Sequence, residues 1–456
     1  MQVNPSIFRE YDIRGLVDRD LTPAVAEAIG RAFGTLVQDR GPQRVVVGRD
    51  IRPSSDPFSH ALIGGIRATG CDVLDVGMVP TPVLYFSIAH YDRGGGVMIT
   101  GSHNPREFNG FKLCKGLYSL YGDSIQQMRA MIEGDEYLEG AGHIQRADPV
   151  EAYIDAVKVR INLGRPLRLV IDAGNGTGGH IAERVFTELG CEVIGMNMEP
   201  DGNFPAHLPD PTVPEYVVDL QAKVREVGAD VGIGYDGDAD RLGAIADNGD
   251  IVWGDKLLAL YAREVLDKGP APIVFDVKCS QGLVEEIEKL GGEPVMWNTG
   301  HSLIKEKMRR IDSPLAGEMS GHMFFADDYF GFDDGIFASL RLVQILSHTH
   351  RRLSELALEL WSYTATPEIR TACPDEAKFD IVEKVRERFS ADHEVIDVDG
   401  ARILFDGGWA LVRASNTQPI IVSRFEAASP RRLSEIREEV TSFLRSFPEV
   451  GEEGGH

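Results

Sequence analysis

The chain has 456 residues, 43% of them hydrophobic and 26% charged. This is well above the size at which a single core stops growing, so several domains are expected. A formal net charge of −24 disfavours nucleic acid and anionic membranes as partners, because both repel an acidic protein. No apolar run reaches the length of a membrane span, and five scattered cysteines favour a reducing cytoplasm over a disulfide framework or a zinc site.

The N-terminal segment predicts one helix clearly. Thr22 is typical of a helix N-cap and Pro23 of the first helical position, and apolar residues follow at helical spacing. Gly41 predicts the end of this helix. Residues 8–15 are too short and too mixed to predict a strand.

A strand–helix–strand unit then recurs three times. In each copy an apolar strand, a polar turn and a helix precede a glycine that leads into a second strand. The strand and helix of the copies span residues 45–67, 169–189 and 273–290, and the glycines are Gly70, Gly190 and Gly291. A recurrence at roughly one hundred residues matches the size of a domain, so we predict three domains of similar mixed α/β topology.

From about Thr364 the pattern becomes that of an α+β domain. The amphipathic helix 378–389 is predicted to bury one side, made of Phe379, Val382, Val385 and Phe389. Short strands separated by glycine turns and a closing helix follow, at residues 395–398, 401–405, 410–414, 420–426 and 430–447. The acidic, glycine-rich tail 451–456 predicts disorder.

The fold class predicted from these patterns is α/β with four domains. The predicted domains are residues 1–148, 149–250, 251–363 and 364–456. The first three are predicted to have a mixed α/β topology, and the last is predicted to be α+β because its strands are short and joined by tight turns.

The stretch with the strongest chemical signal follows the apolar run Gly96–Ile99, which predicts a buried strand. The run ends in Thr-Gly-Ser-His-Asn-Pro, whose glycine, asparagine and proline exclude a helix and a longer strand. Ser102 therefore lies on a loop held by a rigid strand, beside the imidazole of His103. A single serine in a turn most often bonds its own backbone, so this loop alone does not establish a nucleophile.

Three carboxylates alternate in Asp236, Asp238 and Asp240, directly after another apolar run. In extended backbone they project to one side, and a hard cation such as Mg²⁺ would neutralise their repulsion. A solvated acidic turn is the plain alternative. A calcium-binding EF-hand is disfavoured, because it needs glycine where Arg241 stands and glutamate where Asp247 stands.

The glycine-rich turn 174–179 fits the fingerprint of a dinucleotide site, with Glu199 or Asp201 available for a ribose. A purely structural turn is the alternative, and we favour it because no other motif of the chain has a use for a nicotinamide.

Two later loops carry groups suited to a sugar phosphate. The loop 317–322 offers a carboxylate, a hydroxyl and an imidazole for sugar hydroxyls, on Glu318, Ser320 and His322. The loop 413–419 offers a guanidinium, two hydroxyls and an amide for a phosphate, on Arg413, Ser415, Asn416 and Thr417.

The serine loop, the aspartate loop and these two loops, in this order, together resemble the α-D-phosphohexomutase superfamily. The sequence Glu-Met-Ser-Gly-His and Asn416 resemble its phosphomannomutase/phosphoglucomutase branch, and Gln418, where glutamate is common, is a small departure. The resemblance implies four domains around a central cleft, a phosphoryl group carried on Ser102, and a metal held by that phosphoserine and the three aspartates. It also implies catalytic roles near the phosphoserine for His103, Arg14, Lys112 and Arg241. Substrate-binding roles are implied for Tyr11, Lys278 and His301, besides the residues of the two later loops.

The activity implied by the resemblance is reversible phosphoryl transfer between the 1- and 6-positions of a hexose, mannose or glucose. Mg²⁺ and a hexose 1,6-bisphosphate would be its cofactors, and small-molecule sugar phosphates its partners. The protein would be cytoplasmic, as a monomer or weak homodimer. Phosphoglucosamine mutase and strict phosphoglucomutase stay open as alternatives within the superfamily, and a non-catalytic sugar-phosphate-binding protein is the alternative outside it.

Overall fold

The computed structural model describes residues 1–38, 41, 43–416, 418–451 and 453–454. Within these residues the chain forms four sheets, which follow one another along the sequence. Among the described helices, none combines the length and the apolarity that crossing a membrane requires.

The first sheet has seven strands in the order β1-β5-β4-β2-β3-β7, with β6 paired to β5. Its strands are β1 (Ile13–Leu16), β2 (Arg44–Arg49), β3 (Asp72–Met78), β4 (Gly95–Ile99), β5 (Phe108–Lys115), β6 (Tyr118–Ser119) and β7 (Ile144–Arg146). Its helices are α1 (Pro23–Leu36), α2 (Ser55–Arg67), α3 (Thr81–His90) and α4 (Asp123–Gly134), after a 3₁₀ turn at Pro5–Ile7.

Helix α1 begins as the sequence predicts, because the hydroxyl of Thr22 accepts a hydrogen bond from the amide of Val25 and Pro23 takes the first position. The predicted end at Gly41 is wrong, since α1 already ends at Leu36. Strand β1 was not predicted from residues 8–15; it forms because it pairs with β5, about a hundred residues later in the chain.

The second sheet has five strands in the order β12-β11-β10-β8-β9, and the third has four in the order β14-β13-β15-β16. The second domain contains α5 (Val150–Lys158), β8 (Arg168–Asp172), α6 (Gly179–Glu188), β9 (Glu192–Met196), a 3₁₀ turn at Pro214–Tyr216, α7 (Val218–Val227), β10 (Val231–Tyr235), β11 (Leu242–Ala246) and β12 (Ile251–Val252). The third contains α8 (Gly254–Leu266), β13 (Pro272–Asp276), α9 (Gln281–Lys289), β14 (Glu293–Trp297), α10 (His301–Arg310), β15 (Leu315–Gly317), β16 (Met323–Phe325), α11 (Gly335–Ser347) and α12 (Leu353–Leu358).

The predicted strand–helix–strand repeat is present in all three of these domains. The pairs β2–β3, β8–β9 and β13–β14 are each parallel, with one helix as the crossover. The glycine after each helix has a positive φ, at +95° for Gly70, +89° for Gly190 and +78° for Gly291. Glycine adopts this conformation without the cost that a side chain would impose, so it ends the helix and turns the chain toward the next strand.

The fourth sheet has seven strands in the order β19-β20-β21-β22-β18-β23, with β17 paired to β22. Its elements are β17 (Thr364–Ala365), β18 (Ile369–Ala372), α13 (Asp375–Ser390), β19 (Glu394–Ile396), β20 (Ala401–Phe405), β21 (Gly408–Ala414), β22 (Ile420–Ala427), α14 (Pro430–Leu444) and β23 (Glu453–Gly454). The pairing of β23 with β18 contradicts the predicted disorder for these two tail residues. Glu452, Gly455 and His456 lie outside the described residues.

The predicted buried side of α13 is wrong in one position. Phe379 is 57% exposed, whereas its neighbour Lys378 is 2% exposed, and Val382, Val385 and Phe389 are buried as expected. The buried lysine has a binding role described below, which no apolar pattern could indicate.

One apolar core extends through the first three domains, and the fourth domain has its own. Helix α3 of the first domain is buried on all sides and joins the shared core. A small apolar cluster of Val277, Trp409 and Leu411 lies where the fourth domain meets the third. The first three domains therefore form one packed body, to which the fourth domain is attached through a limited contact.

The end of β8 is held by an ion pair. His207 donates from Nδ1 to the carbonyl of Leu208 (2.8 Å) and faces Asp172 with Nε2 (3.1 Å). Both ring nitrogens thus face acceptors, which the protonated imidazole satisfies best. The hydrogen bond to Asp172 raises the pKa of His207 above its usual value.

We predict that replacing His207 with Gln destabilises the protein more in acid than in base. Because the pKa is raised in the folded state, the ion pair contributes fully below the unfolded value of about 6.5, and the contribution is lost as the pH rises through the folded pKa. The loss in apparent Tm relative to wild type should be about 1–2 °C near pH 5.5 and smaller near pH 9, because a given change in stability shifts the Tm of a large unfolding unit only slightly. Replacement of the exposed His143 with Gln is the control, and an equal loss at both pH values for His207→Gln would contradict the prediction.

Candidate active site

Ser102 lies just beyond β4, on the loop that the sequence predicts. It is 2% exposed and has φ +49°, a left-handed conformation that costs a residue with a side chain about 1–2 kcal/mol. Its hydroxyl donates to Oδ2 of Asp236 (2.7 Å) and lies 3.1 Å from Nδ1 of His103. The unfavourable backbone conformation of Ser102 thus places its hydroxyl against a carboxylate from another domain.

The guanidinium of Arg52 binds the backbone of this loop, a role that the sequence analysis did not predict. Its guanidinium donates to the carbonyls of four loop residues, Ser102 (2.8 Å), Asn104 (2.5 Å), Pro105 (2.7 Å) and Phe108 (3.1 Å), and to the carboxylate of Asp50 (3.1 Å). Its side chain is fully buried. Each of its five N–H groups can therefore be used, which is the pattern expected of an arginine that fixes a backbone conformation.

The three aspartates lie on the turn after β10, and each has an exposure of 0%. Lys112 of β5 donates from Nζ to Asp238 (2.8 Å) and to Asp240. Thr81, at the start of α3, donates to Asp238 (2.6 Å). These contacts bring the first and second domains together around one group of carboxylates.

The charges of this group are not balanced by the side chains present. Three buried carboxylates face two cations, the buried Lys112 and Arg241, whose Nε lies 4.0 Å from Asp236. Oδ1 of Asp238 and of Asp240 are buried without a hydrogen-bond partner among the described residues. Burial, and then the charges of Asp240 and Asp238, raise the pKa of Asp236 well above its usual value. Against the opposing effect of burial, the carboxylates raise the pKa of Lys112 and keep it charged. One oxygen from each aspartate lies within 4.8 Å of the others, so the residues present fit a hard cation.

His322 of the third domain adjoins the aspartate turn. Nε of Arg241 donates to Nε2 of His322 (3.0 Å), so this nitrogen is the acceptor and the ring proton lies on Nδ1. Nδ1 is 3.2 Å from Oδ2 of Asp333 and 3.6 Å from Oδ1 of Asp240. Asp333, which sequence reasoning missed, also lies 3.6 Å from Nδ1 of His301 and accepts from Lys305 (2.8 Å). One buried carboxylate thus lies within ion-pair distance of the imidazoles of both His301 and His322.

Glu318 is the buried carboxylate of the loop 317–322. It is 2% exposed, and its Oε1 accepts from the amide of Gly300 (2.6 Å), next to His301. Burial raises its pKa, while His322 and Lys278 oppose that shift. Ser320, on the same loop, is half-buried.

Arg413 of β21 connects the fourth domain to this side of the cleft. It is 5% exposed, and its Nε donates to Asp399 (2.9 Å), which also accepts from the amide of Thr299 (3.0 Å). Among the described residues, Nη2 of Arg413 is buried without a hydrogen-bond partner. Tyr11 of the first domain lies in the field of Arg413 and Asp399, and burial raises its pKa to about 12.

The loop after Arg413 is held by the buried Lys378. Nζ of Lys378 donates to the carbonyls of Ser415 (2.6 Å) and Gln418 (2.9 Å). Ser415 is 7% exposed and Asn416 is half-buried. Thr417, the remaining predicted residue, lies outside the described residues. Sequence reasoning placed Lys378 on a predicted helix without seeing its role, because both carbonyls lie about forty residues later in the chain.

The structure therefore connects predicted residues of all four domains by a network of contacts. Contacts continue from Ser102 through Asp236 and Arg241 to His322, and from Glu318 through the Gly300 turn and Asp399 to Arg413. Arg14 lies at the edge of the serine loop, where it donates to Asn104 (3.3 Å) and Asp12 (2.6 Å). Lys278 reaches the cleft from the loop after β13, where it is 3.3 Å from Glu368.

The glycine-rich turn 174–179 supports the aspartate loop. The amide (3.0 Å) and hydroxyl (3.2 Å) of Thr177 both donate to the carbonyl of Gly237. A Cβ on Gly176 would come within 2.8 Å of the same carbonyl. This contact accounts for the glycines without a nucleotide, in agreement with the structural alternative.

Family models match the chain in four consecutive parts. The three alpha/beta/alpha domains of phosphoglucomutase/phosphomannomutase match residues 5–136, 151–249 and 253–363, and the C-terminal domain matches residues 368–442. A phosphomannomutase/phosphoglucomutase from Pseudomonas aeruginosa is 45% identical over 434 residues, which are 95% of this chain and 94% of that protein. A phosphoglucomutase from Neisseria gonorrhoeae is 40% identical over 454 residues, 98% of each chain.

A solved structure agrees with these matches. The crystal structure of a phosphoglucomutase/phosphomannomutase family protein from Burkholderia thailandensis superposes with a TM-score of 0.92 at 42% identity, and the alignment covers 98% of both chains. The limits predicted above for the individual domains stay predictions.

Proposed function

The chain belongs to the phosphoglucomutase/phosphomannomutase family of hexose phosphate mutases, and we propose that it interconverts the 1- and 6-phosphates of glucose and mannose through a phosphorylated Ser102. The observation that carries the proposal is the hydrogen bond of 2.7 Å from the Ser102 hydroxyl to Asp236, which is one of three buried carboxylates whose charge is not fully balanced. A serine that only capped its own turn would not need a buried cation site next to its oxygen. We further propose that this cation is Mg²⁺, held by Asp236, Asp238, Asp240 and an oxygen of the phosphoserine.

The proposed transfer exchanges one P–O bond for another. The bond from phosphorus to Ser102 Oγ breaks, and a bond from phosphorus to a hydroxyl oxygen of the hexose phosphate forms, which yields a hexose 1,6-bisphosphate. The hydroxyl of the sugar loses its proton and Ser102 Oγ gains a proton, so the reaction is balanced by the transfer of one proton. His103 suits this exchange, because its Nδ1 is 3.1 Å from Ser102 Oγ and burial, with Arg241, lowers its pKa and keeps the ring neutral.

Electrostatic stabilisation of the transferred group comes from cations near Ser102. The charges of Arg14, Lys112 and Arg241 all act on His103, next to Ser102, and these cations can share the charge of the phosphoryl oxygens. Bound Mg²⁺ would add Lewis-acid neutralisation of the same oxygens. In the return step, the other phosphate of the bisphosphate passes to Ser102.

The bisphosphate must turn end for end between the two steps, so the rest of the cleft must accept both orientations. The phosphate that is not reacting is assigned to Arg413, Ser415, Asn416 and Thr417, and the sugar hydroxyls to Glu318 and Ser320. His301, His322, Lys278 and Tyr11 complete the enclosure. The buried Nη2 of Arg413 supports this assignment, since it is a donor without an acceptor among the described residues, and an entering anion would supply one.

A coupled assay tests the activity directly. With glucose 1-phosphate or mannose 1-phosphate and a trace of the matching 1,6-bisphosphate, the purified protein should form the 6-phosphate. A protein that binds these sugar phosphates without turnover would be a binding protein, and the proposal would be wrong.

Removal of the metal should stop turnover without unfolding the protein, because the cation serves charge neutralisation and not the core. Conversely, Mg²⁺ at a hundred times its Kd should stabilise the metal-free protein by about 2.7 kcal/mol. The shift in Tm on adding Mg²⁺ should disappear in Asp240→Asn and persist in Asp155→Asn, which changes an exposed aspartate of α5. An undiminished shift in Asp240→Asn would exclude this metal site.

Ser102→Ala should reduce kcat by several orders of magnitude, because no other group at this position can carry the phosphoryl group. Intact-mass spectrometry should find one phosphoryl group on part of the wild-type protein and none on the variant. Ser442→Ala, which removes an exposed hydroxyl of α14, is the matched control. Turnover near the wild-type rate in Ser102→Ala would exclude the covalent route.

Specificity should follow from the need to bind two orientations. Contacts to the 3- and 4-hydroxyls serve both, so glucose and mannose, which differ at C2, should react with comparable kcat/KM. Galactose 1-phosphate, inverted at C4, leaves the buried Glu318 poorly paired, at a cost of about 1–3 kcal/mol. Its kcat/KM should be lower by about tenfold or more.

Glu318→Gln offers an independent check of this assignment, because an amide can both donate and accept and should narrow the difference between glucose and galactose. Efficient use of galactose 1-phosphate by the wild type, or a strong preference between mannose and glucose, would show that the loop has another role.

A further inference from the structure

The loop that carries Lys278 is held by the fourth domain, although it belongs to the third. Nη1 of Arg402 donates to the carbonyls of Val277 (2.7 Å) and Cys279 (2.7 Å). Nη1 of Arg424 donates to the carbonyl of Lys278 itself. Three successive carbonyls of one loop thus accept from two arginines of a different domain.

Arg402 occupies an unfavourable place for a charge. It is 0% exposed, its guanidinium lies 3.8 Å from the centre of the Trp409 ring, and burial lowers its pKa to about 10. Among the described residues, its Nε and Nη2 have no hydrogen-bond partner. A buried cation with unused donors is costly, and an apolar side chain of similar volume would give a more stable interface. We therefore attribute the presence of Arg402 to the two hydrogen bonds that its Nη1 donates to the carbonyls of Val277 and Cys279.

Other contacts at this interface converge on the same loop. Oε1 of Glu426 accepts from the amide of Gln281 (3.0 Å) and from the indole of Trp409 (2.8 Å). Val277 packs against Trp409 and Leu411. The loop 277–281 is the part of the third domain to which the fourth domain attaches here.

Lys278 needs such support more than an arginine would. Its ammonium is a point charge on a flexible stem, so its position depends on where the backbone places its Cα. The side chain is 9% exposed, and Nζ lies 3.3 Å from Glu368 and 3.7 Å from Asp276. A shift of the backbone by one ångström would move the ammonium relative to both carboxylates and to the cleft.

We propose that Arg402 is a positioning residue for Lys278, through which the docking of the fourth domain sets the place of a substrate-binding cation in the third. The inference rests on the proposed function and deepens it. The domain that carries Arg413 for the distant phosphate also determines the position of Lys278, so both cations are in place only when the fourth domain is docked on loop 277–281.

The test is a double-mutant cycle with glucose 1-phosphate as the substrate. Arg402→Lys keeps a charge but loses the planar guanidinium that spans two carbonyls while stacking on Trp409. Its kcat/KM should fall about ten- to a hundredfold, and that of Lys278→Met should fall at least as far. The double variant should be no worse than Lys278→Met alone, because Arg402 acts through Lys278. If the two effects multiply, or if Arg402→Lys equals the wild type, the inference is wrong.

Controls separate positioning from stability. Arg431→Lys changes an arginine of the same domain whose side chain is 91% exposed, and it should leave both kinetic constants unchanged. Tm is measured for every variant. If Arg402→Lys does not fold, the same cycle is run with Arg424→Lys, which loses the bond to the carbonyl of Lys278, and multiplying effects there count equally against the inference. An inactive wild type would overturn the proposed function, whereas an active wild type with multiplying effects would overturn only the positioning role.

Discussion

The uncompensated charge of Asp236, Asp238 and Asp240 constrains the rest of the structure. Three carboxylates without exposure face one lysine, which lies on a strand of another domain, and their nearest neutral donors are Thr81 and Ser102, also from that domain. Within the second domain, Arg241 lies 4.0 Å from Asp236 and relieves part of the repulsion, and the remaining relief comes from groups that the first domain brings to the second. A core shared by the first three domains follows from this requirement, because the partners would otherwise be free to move apart. In a separately folding second domain these carboxylates would be exposed, or protonated.

Buried cations that bind backbone carbonyls are the second recurring element. Arg52 holds the serine loop, Lys378 holds the loop after Arg413, and Arg402 with Arg424 holds the loop of Lys278. Each of these cations is buried. A carbonyl that points toward a buried cation fixes the peptide plane, and the opposite side of the loop is then free to present side chains and amides to a ligand. The cost of desolvating each charge is offset by several charge-assisted hydrogen bonds in one place.

These cations also show where prediction from sequence succeeds and where it fails. Strand β4 and the serine loop were predicted because a local apolar run ends in residues that exclude a longer strand. The repeat was predicted because a strand, a polar turn, a helix and a glycine recur in the same order, and in the structure each of these glycines has the positive φ that ends a helix. The roles of Arg52 and Lys378 were missed because their partners lie about fifty and forty residues away, and no local pattern records such a contact. Phe379 was placed in the core for the same reason, since the neighbouring Lys378 occupies the buried side of α13 for its polar partners. The spacing of apolar residues predicts which side of a helix packs against an apolar surface, but it does not predict a buried charged residue.

The pairing of the cleft cations bears on how a sugar bisphosphate could turn within it. The chain carries 71 acidic and 47 basic residues, and five of the cleft cations already have carboxylate partners. These pairs are Arg14 with Asp12, Lys112 with two aspartates, Arg241 with Asp236, Lys278 with Glu368, and Arg413 with Asp399. An incoming phosphate must share these donors or displace the carboxylates, so the net gain per contact is smaller than it would be for a free cation. A cleft of unpaired cations would bind a bisphosphate too tightly for it to rotate. The excess of acidic groups is therefore compatible with an anionic substrate, because carboxylate partners weaken each phosphate contact and would let the proposed bisphosphate leave one orientation for the other.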